Sequence, residues 1–356
     1  MQIKKICHFT SAHQSSDVRI FIKECTTLAE AGYDTYLVAK GESREQNGVH
    51  VIGVGTMPEN RIKRMAGFSR TVYKAALSLD CDIYHFHDPE LLPYGLKLKK
   101  KGKKVIFDSH EDVPGQIQDK RWIPKPLRKL VSRCYRAYET HVVKQLDAVV
   151  AATPHIAEKF AGRAKKVVVV NNFPRLDDIV FHETPFSERE PVVCYAGGID
   201  ELRGEKIMLA AMQDMDGELI IAGDHKKMVV VGVRYIGRLD RNGVNALYGR
   251  AVAGLCLLKP IENYYYSRPI KMYEYMAAGL PFVCSDFPLW RAVAEESGAG
   301  ICVNPADIGG IRSAIEGLLQ DRLRAQEMGQ KGRAYVLQRY NWANEARALL
   351  ALYETV

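Results

Sequence analysis

Short apolar segments of strand length alternate with longer amphipathic segments along the whole sequence, and this alternation constrains the fold more than any other feature. In the first half, residues 5–10, 83–87 and 104–108 are largely apolar on consecutive positions, whereas residues 69–79 and 126–144 have helical spacing. Strands that are apolar on both faces and separated by helices are typical of a parallel sheet covered by helices. The sequence therefore predicts the α/β class.

The alternation starts again in the second half, after a segment of different composition. Residues 171–191 contain three prolines and many charges, which is typical of a linker. The chain has 356 residues, more than a single hydrophobic core usually serves. We therefore predict two Rossmann-like domains, residues 1–180 and residues 181–339, that bind ligands outside the carboxyl ends of their strands.

Much of the formal net charge of +8 comes from residues 97–104 and 120–144. This excess favours anionic partners such as nucleotides or phospholipid, and a solvated helix face is the alternative explanation. None of the eight cysteines forms a Cys-x-x-Cys pair, so we expect buried thiols and no zinc site. No segment has the pattern of a signal peptide or a membrane span. We expect a cytoplasmic protein that can contact the inner face of the cytoplasmic membrane.

Polar side chains gather where two of the predicted strands end. His87 and Asp88 follow one strand, and Asp108, His110 and Glu111 follow the next. Carboxylates are costly to bury without a ligand or a partner, so both strand ends are candidates for chemistry. The alternatives are that Asp88 caps a helix beginning at the next residue, and that the second cluster is a solvated loop.

A third candidate lies in residues 267–281, where Pro269 is suited to the first turn of a helix. Lys271 and Glu274 then lie one turn apart on the helix surface. The free N–H groups at a helix N-terminus bind anions, and Arg268 and Lys271 add full charges, so a diphosphate fits here. Glu274 could accept hydrogen bonds from ribose hydroxyls. The alternative is a simple Lys–Glu pair within the helix.

A glycine turn provides a fourth, weaker signal. Gly197 and Gly198 follow the strand at residues 192–195, and Arg203 comes shortly after them. Paired glycines let a backbone approach a phosphate closely. No GxGxxG, GxxxxGK[ST] or G-x-S-x-G motif occurs, so a nicotinamide dehydrogenase, a P-loop NTPase and a hydrolase with a nucleophile elbow are not indicated.

Together these segments resemble a known family. Residues 271–281 (KMYEYMAAGLP) and 285–291 (SDFPLWR) closely resemble the C-terminal signature of the retaining glycosyltransferases of family 4. Residues 195–204 (YAGGIDELRG) and 17–21 (DVRIF) are similar to other segments of that family. The resemblance implies a GT-B fold, in which two Rossmann-like domains face each other across a cleft and the last helix, within residues 340–356, crosses back to the N-terminal domain. It also implies that the C-terminal domain holds a nucleotide sugar and that no metal is needed.

The resemblance assigns roles to the candidate donor-site residues. Glu274 would bind the ribose of the donor nucleotide, while Lys271 and the turn of Gly197 and Gly198 would contact the diphosphate. Arg203 would take the role of the family's second basic residue.

His110 would match the histidine that lies beside the donor sugar in the family. Two departures concern the sugar contacts. The Glu-x7-Glu motif of the family lacks its first Glu, because Tyr266 stands there and Glu262 is out of register. Gly198 stands where many members carry Arg, and Arg268 is a candidate to supply that charge.

The expected reaction is therefore a retaining, metal-independent transfer of a sugar from a UDP- or GDP-linked donor to a glycan or lipid-linked acceptor, in cell-surface polysaccharide synthesis. Fixed cations would stabilise the departing diphosphate, and Glu111 or Asp88 would orient the acceptor. The basic first half, with Trp122 and Tyr135 among its cations, suggests contact with an anionic membrane. A nucleotide-sugar epimerase of the same fold and a non-catalytic nucleotide-sugar binder are the alternatives. No nucleic-acid-binding motif is present, so no nucleic-acid partner is expected.

Overall fold

The computed structural model describes residues 4–56, 67–120, 123–224 and 230–356. Within these residues the chain forms fourteen β-strands and fourteen α-helices. The strands are β1 (Lys5–Gln14), β2 (Asp34–Lys40), β3 (Arg44–Gln46), β4 (Val49–Gly53), β5 (Ile83–Phe86), β6 (Lys104–Ser109), β7 (Ala148–Ala151), β8 (Val167–Val169), β9 (Val192–Ala196), β10 (Glu218–Ala222), β11 (Val233–Tyr235), β12 (Ala253–Cys256), β13 (Phe282–Ser285) and β14 (Gly300–Val303). The helices are α1 (Thr26–Glu30), α2 (Ser69–Ser78), α3 (Leu92–Lys100), α4 (Val113–Asp119), α5 (Lys125–Val143), α6 (Pro154–Phe160), α7 (Glu205–Met212), α8 (Arg241–Arg250), α9 (Glu262–Tyr265), α10 (Ile270–Ala277), α11 (Pro288–Ser297), α12 (Ile308–Gln320), α13 (Arg322–Gln338) and α14 (Trp342–Thr355).

The chain divides into two compact units. Unit 1 comprises Met1–Asn172 together with Ala343–Val356, and unit 2 comprises Phe173–Trp342. The segment after residue 172 packs against unit 2, because Phe173, Ile179 and Phe186 belong to the hydrophobic core of that unit. Most of helix α14 belongs to unit 1.

Unit 1 is built on a sheet of eight described strands in the order β3-β4-β2-β1-β5-β6-β7-β8. The strands run parallel except for the β3–β4 pair, which is antiparallel. Buried apolar side chains on both sides of the sheet stabilise it, as the unalternated strands predict. The register sets His8 of β1 directly beside His85 of β5.

Unit 2 contains a sheet of six described strands, all parallel, in the order β11-β10-β9-β12-β13-β14. The strand β9 lies between β10 and β12, so the glycine turn that follows it opens at the carboxyl edge of the sheet. This is the edge at which α/β sheets bind ligands.

The strands and helices named from the sequence are confirmed, with local differences. The strand predicted to end at residue 10 continues to Gln14, and a π-helix, Val18–Cys25, follows it. The alternative explanation, that Asp88 caps the following helix, is wrong, because its side chain makes no capping bond. The thiols are buried except at Cys134, which is exposed, and Cys302, which is partly exposed. In the described part of the chain, no helix combines the length and apolarity that crossing a membrane requires.

Candidate functional site

A turn of two glycines and two cations occupies the carboxyl end of β9 in unit 2. Gly197 has a φ of +132°, a conformation that favours glycine. A Cβ at Gly197 would lie 3.6 Å from the Nζ atom of Lys271, and a Cβ at Gly198 would overlap the guanidinium of Arg203. The turn therefore leaves its backbone uncovered and places both cations against it. Such a concavity is suited to an anion.

The ammonium group of Lys271 is held over an aromatic ring. Its Nζ atom lies 4.5 Å from the ring centroid of Tyr195, whose hydroxyl donates a 2.7 Å hydrogen bond to the carbonyl of Gly198. Burial raises the pKa of Tyr195 and Lys271 lowers it, with a net rise that keeps the phenol protonated. Lys271 lies in the first turn of α10, which begins after Pro269 without a side-chain cap. The N–H of Met272 bonds the carbonyl of Pro269, so the N–H groups that precede Met272 are the ones a ligand could use.

Glu274 is buried one turn further along α10, and its partners come from another helix. One oxygen accepts a 2.9 Å hydrogen bond from Arg241, and the other accepts a 3.2 Å bond from the hydroxyl of Tyr248. Burial and the charge of Glu274 raise the pKa of Tyr248, which therefore donates. Glu274 thus pairs with Arg241, and a Lys271–Glu274 ion pair does not account for it. No local pattern indicates Arg241 and Tyr248 as partners, because they precede Glu274 by 33 and 26 positions.

Arg268 makes its contacts with an aromatic cluster. Its guanidinium carbon lies 6.0 Å from the ring centroid of Phe173 and 5.9 Å from that of Tyr340. Tyr266 and Glu262, at and near the position of the missing acidic residue, are both exposed. The described contacts therefore bring Lys271 and Arg203 to the glycine turn and place Arg268 against the aromatic cluster.

In unit 1, Asp88 organises the end of β1. Its Oδ2 atom accepts a 2.7 Å hydrogen bond from the hydroxyl of Thr10 and bonds from the backbone N–H groups of Ser11 and Ala12, at 2.6 and 3.1 Å. These bonds explain why Asp88 does not cap the next helix. The buried carboxylate keeps one oxygen, Oδ1, 3.5 Å from the Nε2 atom of His13.

His13 lies between two carboxylates and beside His110. Its Nδ1 atom is 3.3 Å from Asp17, and its ring centroid is 5.0 Å from that of His110. Burial lowers the pKa of His13, but the hydrogen bond to Asp17 and the charge of Asp88 raise it more, so the pKa lies above its ordinary value. Sequence reasoning missed His13, because it lies beyond the predicted end of the strand.

Asp108 is the centre of a fully buried polar group next to this site. Arg19 donates two 3.0 Å hydrogen bonds to its carboxylate, and the Nε2 atom of His110 lies 3.1 Å from its Oδ2 atom. Burial alone would raise the pKa of Asp108, but Arg19 and His110 lower it well below the ordinary value. Asp108 is therefore charged. The pKa of Glu24 shifts in the opposite direction, because burial and the charge of Asp108 raise it.

Four side chains of this group could in principle hold a metal ion. One ligand atom each from Glu24, His85, His87 and Asp108 lies within 4.8 Å of all the others. However, the guanidinium of Arg19 already contacts both carboxylates, at 3.1 Å from Glu24 and 3.0 Å from Asp108. Both carboxylates therefore already share a fixed cation, and the four residues fit a metal poorly.

Glu111 differs from its neighbours because it is exposed. Its carboxylate accepts a hydrogen bond from the side-chain amide of Gln116. Among the described residues of unit 1, one continuous polar group is therefore formed by Asp88, His13, His110 and Asp108. Glu111 lies at the surface of this group. Trp122 lies outside the described residues.

Two family profiles match the chain. Glycosyltransferase Family 4 matches residues 19–177, and Glycosyl transferase-like matches residues 203–351, so between them they cover most of the sequence. A phosphatidyl-myo-inositol mannosyltransferase from Mycolicibacterium smegmatis is 22% identical over 383 aligned residues, which cover 100% of this chain and 94% of the relative. A glycogen synthase from Mycobacterium tuberculosis is 23% identical, over 63% of this chain and 58% of the relative. The chain thus spans little more than half the length of that relative.

Solved structures share the fold over nearly the whole chain. Sucrose-phosphate synthase from Thermosynechococcus elongatus superposes with a TM-score of 0.77 at 16% identity, covering 99% of this chain and 98% of its own. The Anabaena protein HepE in complex with UDP and glucose superposes with a TM-score of 0.75 at 11% identity, covering 99% and 100%.

Proposed function

We propose that this chain, which belongs to the family 4 (group 1) glycosyltransferases of the GT-B fold, transfers a sugar from a UDP- or GDP-linked donor with retention of anomeric configuration. The acceptor is a glycan or a lipid-linked molecule used in cell-surface polysaccharide synthesis. Unit 2 holds the donor, and unit 1 holds the acceptor.

One observation carries the proposal: Lys271 and Arg203 converge on the uncovered backbone of Gly197 and Gly198. A diphosphate brings two negatively charged groups, and this turn offers two cations together with the free N–H groups of α10. When the sugar leaves, further negative charge develops on the diphosphate. Cations that are already in position stabilise this charge without reorganisation. The step therefore needs no metal ion in this proposal.

Glu274 is placed to select a nucleoside. Its carboxylate is buried and accepts hydrogen bonds from Arg241 and Tyr248, so its direction is fixed before a ligand arrives. Ribose hydroxyls are donors that a carboxylate accepts in charge-assisted bonds. HepE has been solved with UDP and with UDP-glucose, and the M. smegmatis relative is named a mannosyltransferase. The HepE complexes support a uridine diphosphate sugar as one of the two candidate donors.

Calorimetry and thermal shift with UDP, GDP, ADP and TDP test the donor site. We expect one of the first two to bind, and Glu274→Ala to weaken that binding about 10-fold or more, because charge-assisted hydrogen bonds contribute about 1.5–3 kcal/mol. Glu262→Ala is the matched control, since it removes an exposed carboxylate nearby in sequence and should leave the affinity unchanged. Binding that is indifferent to Glu274 would refute this assignment of the site.

Turnover separates transfer from the other candidate activities. Donor sugar that is released only when an acceptor is present indicates a transferase, whereas conversion of the donor alone indicates an epimerase. NMR of the product's anomeric centre tests retention, and activity that persists in EDTA supports the metal-free step. A protein that binds nucleotide but shows no turnover with any acceptor would be a binder.

An exposed apolar stripe on α5 supports a lipid-linked acceptor. Leu127, Leu130 and Val131 are 48%, 59% and 39% exposed, and Tyr138 lies on the same side of the helix. Five cations and no acidic residue occur between residues 125 and 138. Apolar side chains flanked by lysine and arginine are typical of helices that lie on anionic membranes. We propose that α5 contacts the anionic surface that presents the acceptor.

Liposome flotation tests this contact. The protein should float with vesicles that contain anionic lipid and stay behind with neutral vesicles. The double substitution Leu127→Ser and Leu130→Ser should abolish flotation, whereas Leu323→Ser, at a residue of unit 2 that is 71% exposed, should not. Equal recovery with both vesicles would end the proposal. A dimer that the double substitution converts to a monomer would show that a second copy covers the stripe instead.

A further inference from the structure

A chain of buried side chains runs from helix α14 to the carboxylate of Asp108, and the proposed function does not use it. The hydroxyl oxygen of Tyr353 lies 2.7 Å from Nδ1 of His85 and 2.9 Å from Nε2 of His8. Nδ1 of His8 lies 2.9 Å from Nε2 of His87, and Nδ1 of His87 lies 3.2 Å from Asp108. All five side chains are buried, so their hydrogen bonds must be made within the protein. The Nε2 atom of His85 is buried without a hydrogen-bond partner.

The charged carboxylate determines which nitrogens in this chain carry protons. Burial lowers the pKa of His8, His85 and His87, so these rings are neutral and each has one donor and one acceptor nitrogen. Because Asp108 only accepts, His87 carries its proton on Nδ1 and accepts with Nε2. His8 must then donate from Nδ1 and accept with Nε2.

Tyr353 completes the same pattern. Its hydroxyl donates to Nε2 of His8, because that nitrogen is bare, and its oxygen accepts from Nδ1 of His85. Every link therefore donates toward Asp108. Polarisation along such a chain strengthens each bond in it, and it fixes one tautomer for each ring.

His110 meets the same carboxylate and is partly exposed. Its Nε2 atom lies 3.1 Å from Oδ2 of Asp108 and 3.3 Å from Nδ1 of His87. Because the carboxylate of Asp108 only accepts, Nε2 of His110 donates to it. In the neutral ring Nδ1 is then the nitrogen that carries the lone pair. Among the described residues, none makes a hydrogen bond to that Nδ1 atom.

We propose that Asp108 and the histidine chain behind it fix His110 in the Nε2–H tautomer, so that its Nδ1 atom accepts a hydrogen bond from a sugar hydroxyl. A bare nitrogen repels an anionic oxygen and attracts a hydroxyl, so His110 recognises hydroxyl groups and not phosphate. Tyr353, His8 and His87 are positioning residues in this assignment. The identity of the ligand rests on the proposed function, whereas the tautomers do not.

Nitrogen NMR of the full chain labelled with 15N-histidine tests the tautomers without any substrate. The ring nitrogens are assigned by the loss of signals in His110→Asn and His87→Asn. We expect a protonated Nε2 in His110 and a protonated Nδ1 in His8, His85 and His87. A protonated Nδ1 in His110, or a rapid exchange between its two tautomers, would overturn the proposal. Because no turnover is involved, this result stands or falls separately from the proposed activity.

Two variants test the positioning roles. Asp108→Asn should convert His110 to a mixture of tautomers. If that variant does not fold, Tyr353→Phe, which removes one oxygen, gives the second test. It should disturb the signals of His8 and His87 and lower kcat about 2- to 10-fold, the value of one net hydrogen bond, with the KM for the nucleotide sugar unchanged.

Tyr33→Phe is the matched control, because its ring lies 6.0 Å from that of Tyr353 but its hydroxyl is outside the chain of hydrogen bonds. It should change neither the histidine signals nor kcat. Histidine signals that Tyr353→Phe leaves unmoved would refute the role of Tyr353.

Discussion

Removing the charge of Asp108 is expected to cost less stability than removing a buried carboxylate usually does. Breaking a buried ion pair by deleting one partner typically costs about 3–5 kcal/mol, because the other charge is left unpaired. Here the charge left behind is Arg19, which also lies 3.1 Å from Glu24. Burial and the charge of Asp108 raise the pKa of Glu24 well above its ordinary value. In Asp108→Asn, Glu24 can therefore ionise and replace the lost counter-charge.

This reasoning fixes the pattern of a double-mutant cycle. Glu24→Gln should cost at most about 1 kcal/mol, since an amide replaces a carboxyl that is already neutral, and Asp108→Asn should cost about 1–2 kcal/mol. The double variant leaves Arg19 buried without a carboxylate, so it should cost about 3–5 kcal/mol. The double variant should therefore lose about 1–2 kcal/mol more stability than the sum of the two single costs.

Urea unfolding of the full chain, followed by circular dichroism at pH 7, measures these values. A pH series adds an independent test. The folded pKa of Glu24 is raised, so its contribution to stability is complete below its unfolded pKa, about 4.3, and is lost as the pH rises through the folded pKa. The stability of Glu24→Gln relative to that of the wild type should therefore increase as the pH rises. The reasoning would be refuted if the cost of the double variant equalled the sum of the two single costs. It would also be refuted if Glu24→Gln were as unstable as Asp108→Asn.

Three further outcomes are expected. The free-energy cost of Gly204→Ala should exceed that of Gly102→Ala by about 1–3 kcal/mol. Both residues have a positive φ, but of the two only Gly204 would bring its Cβ into collision with a carbonyl oxygen, that of Leu257. Urea unfolding measures both costs, and equal costs would contradict the collision. The folded pKa of His13 is raised, so it stabilises the fold below its unfolded pKa, about 6.5, and this contribution is lost as the pH rises through the folded pKa. Thermal unfolding of His13→Gln should thus show a weaker decline from pH 6 to 8 than the wild type. Lys271→Ala should weaken binding of the nucleoside diphosphate about 10-fold or more and reduce its dependence on salt in calorimetry, and an unchanged salt dependence would remove Lys271 from the phosphate site.

The sequence predicted the parts of the structure that depend on local pattern. Strands such as β5 and β6 are unbroken apolar segments, and the start of α10 is marked by Pro269, so their positions follow from short-range rules. The glycine turn and Lys271 could also be predicted, because each lies next to a strand end or a helix start. Their roles in binding stay predictions until a ligand is measured.

The parts that could not be predicted depend on pairings between distant residues. Arg241 meets Glu274, and Arg19 meets Asp108 across 89 positions, and no local signal connects either pair. The capping prediction for Asp88 failed for the same reason, since the N–H groups of Ser11 and Ala12 compete for its carboxylate. The polar residues at the strand ends indicated part of the polar group in unit 1, and a histidine within an apolar strand, His8, was a further signal for its extent.

The two-part composition of unit 1 has a consequence for how the protein is made. Residues 343–356 leave the ribosome only after all of unit 2, yet they supply Tyr353, which the buried histidines of unit 1 need as a partner. Unit 2 is continuous in sequence and can complete its own sheet during synthesis. The part of the protein that is translated first is therefore finished last, and its polar interior is open to solvent until helix α14 arrives. Chaperones and proteases that act on nascent chains have their longest access to unit 1.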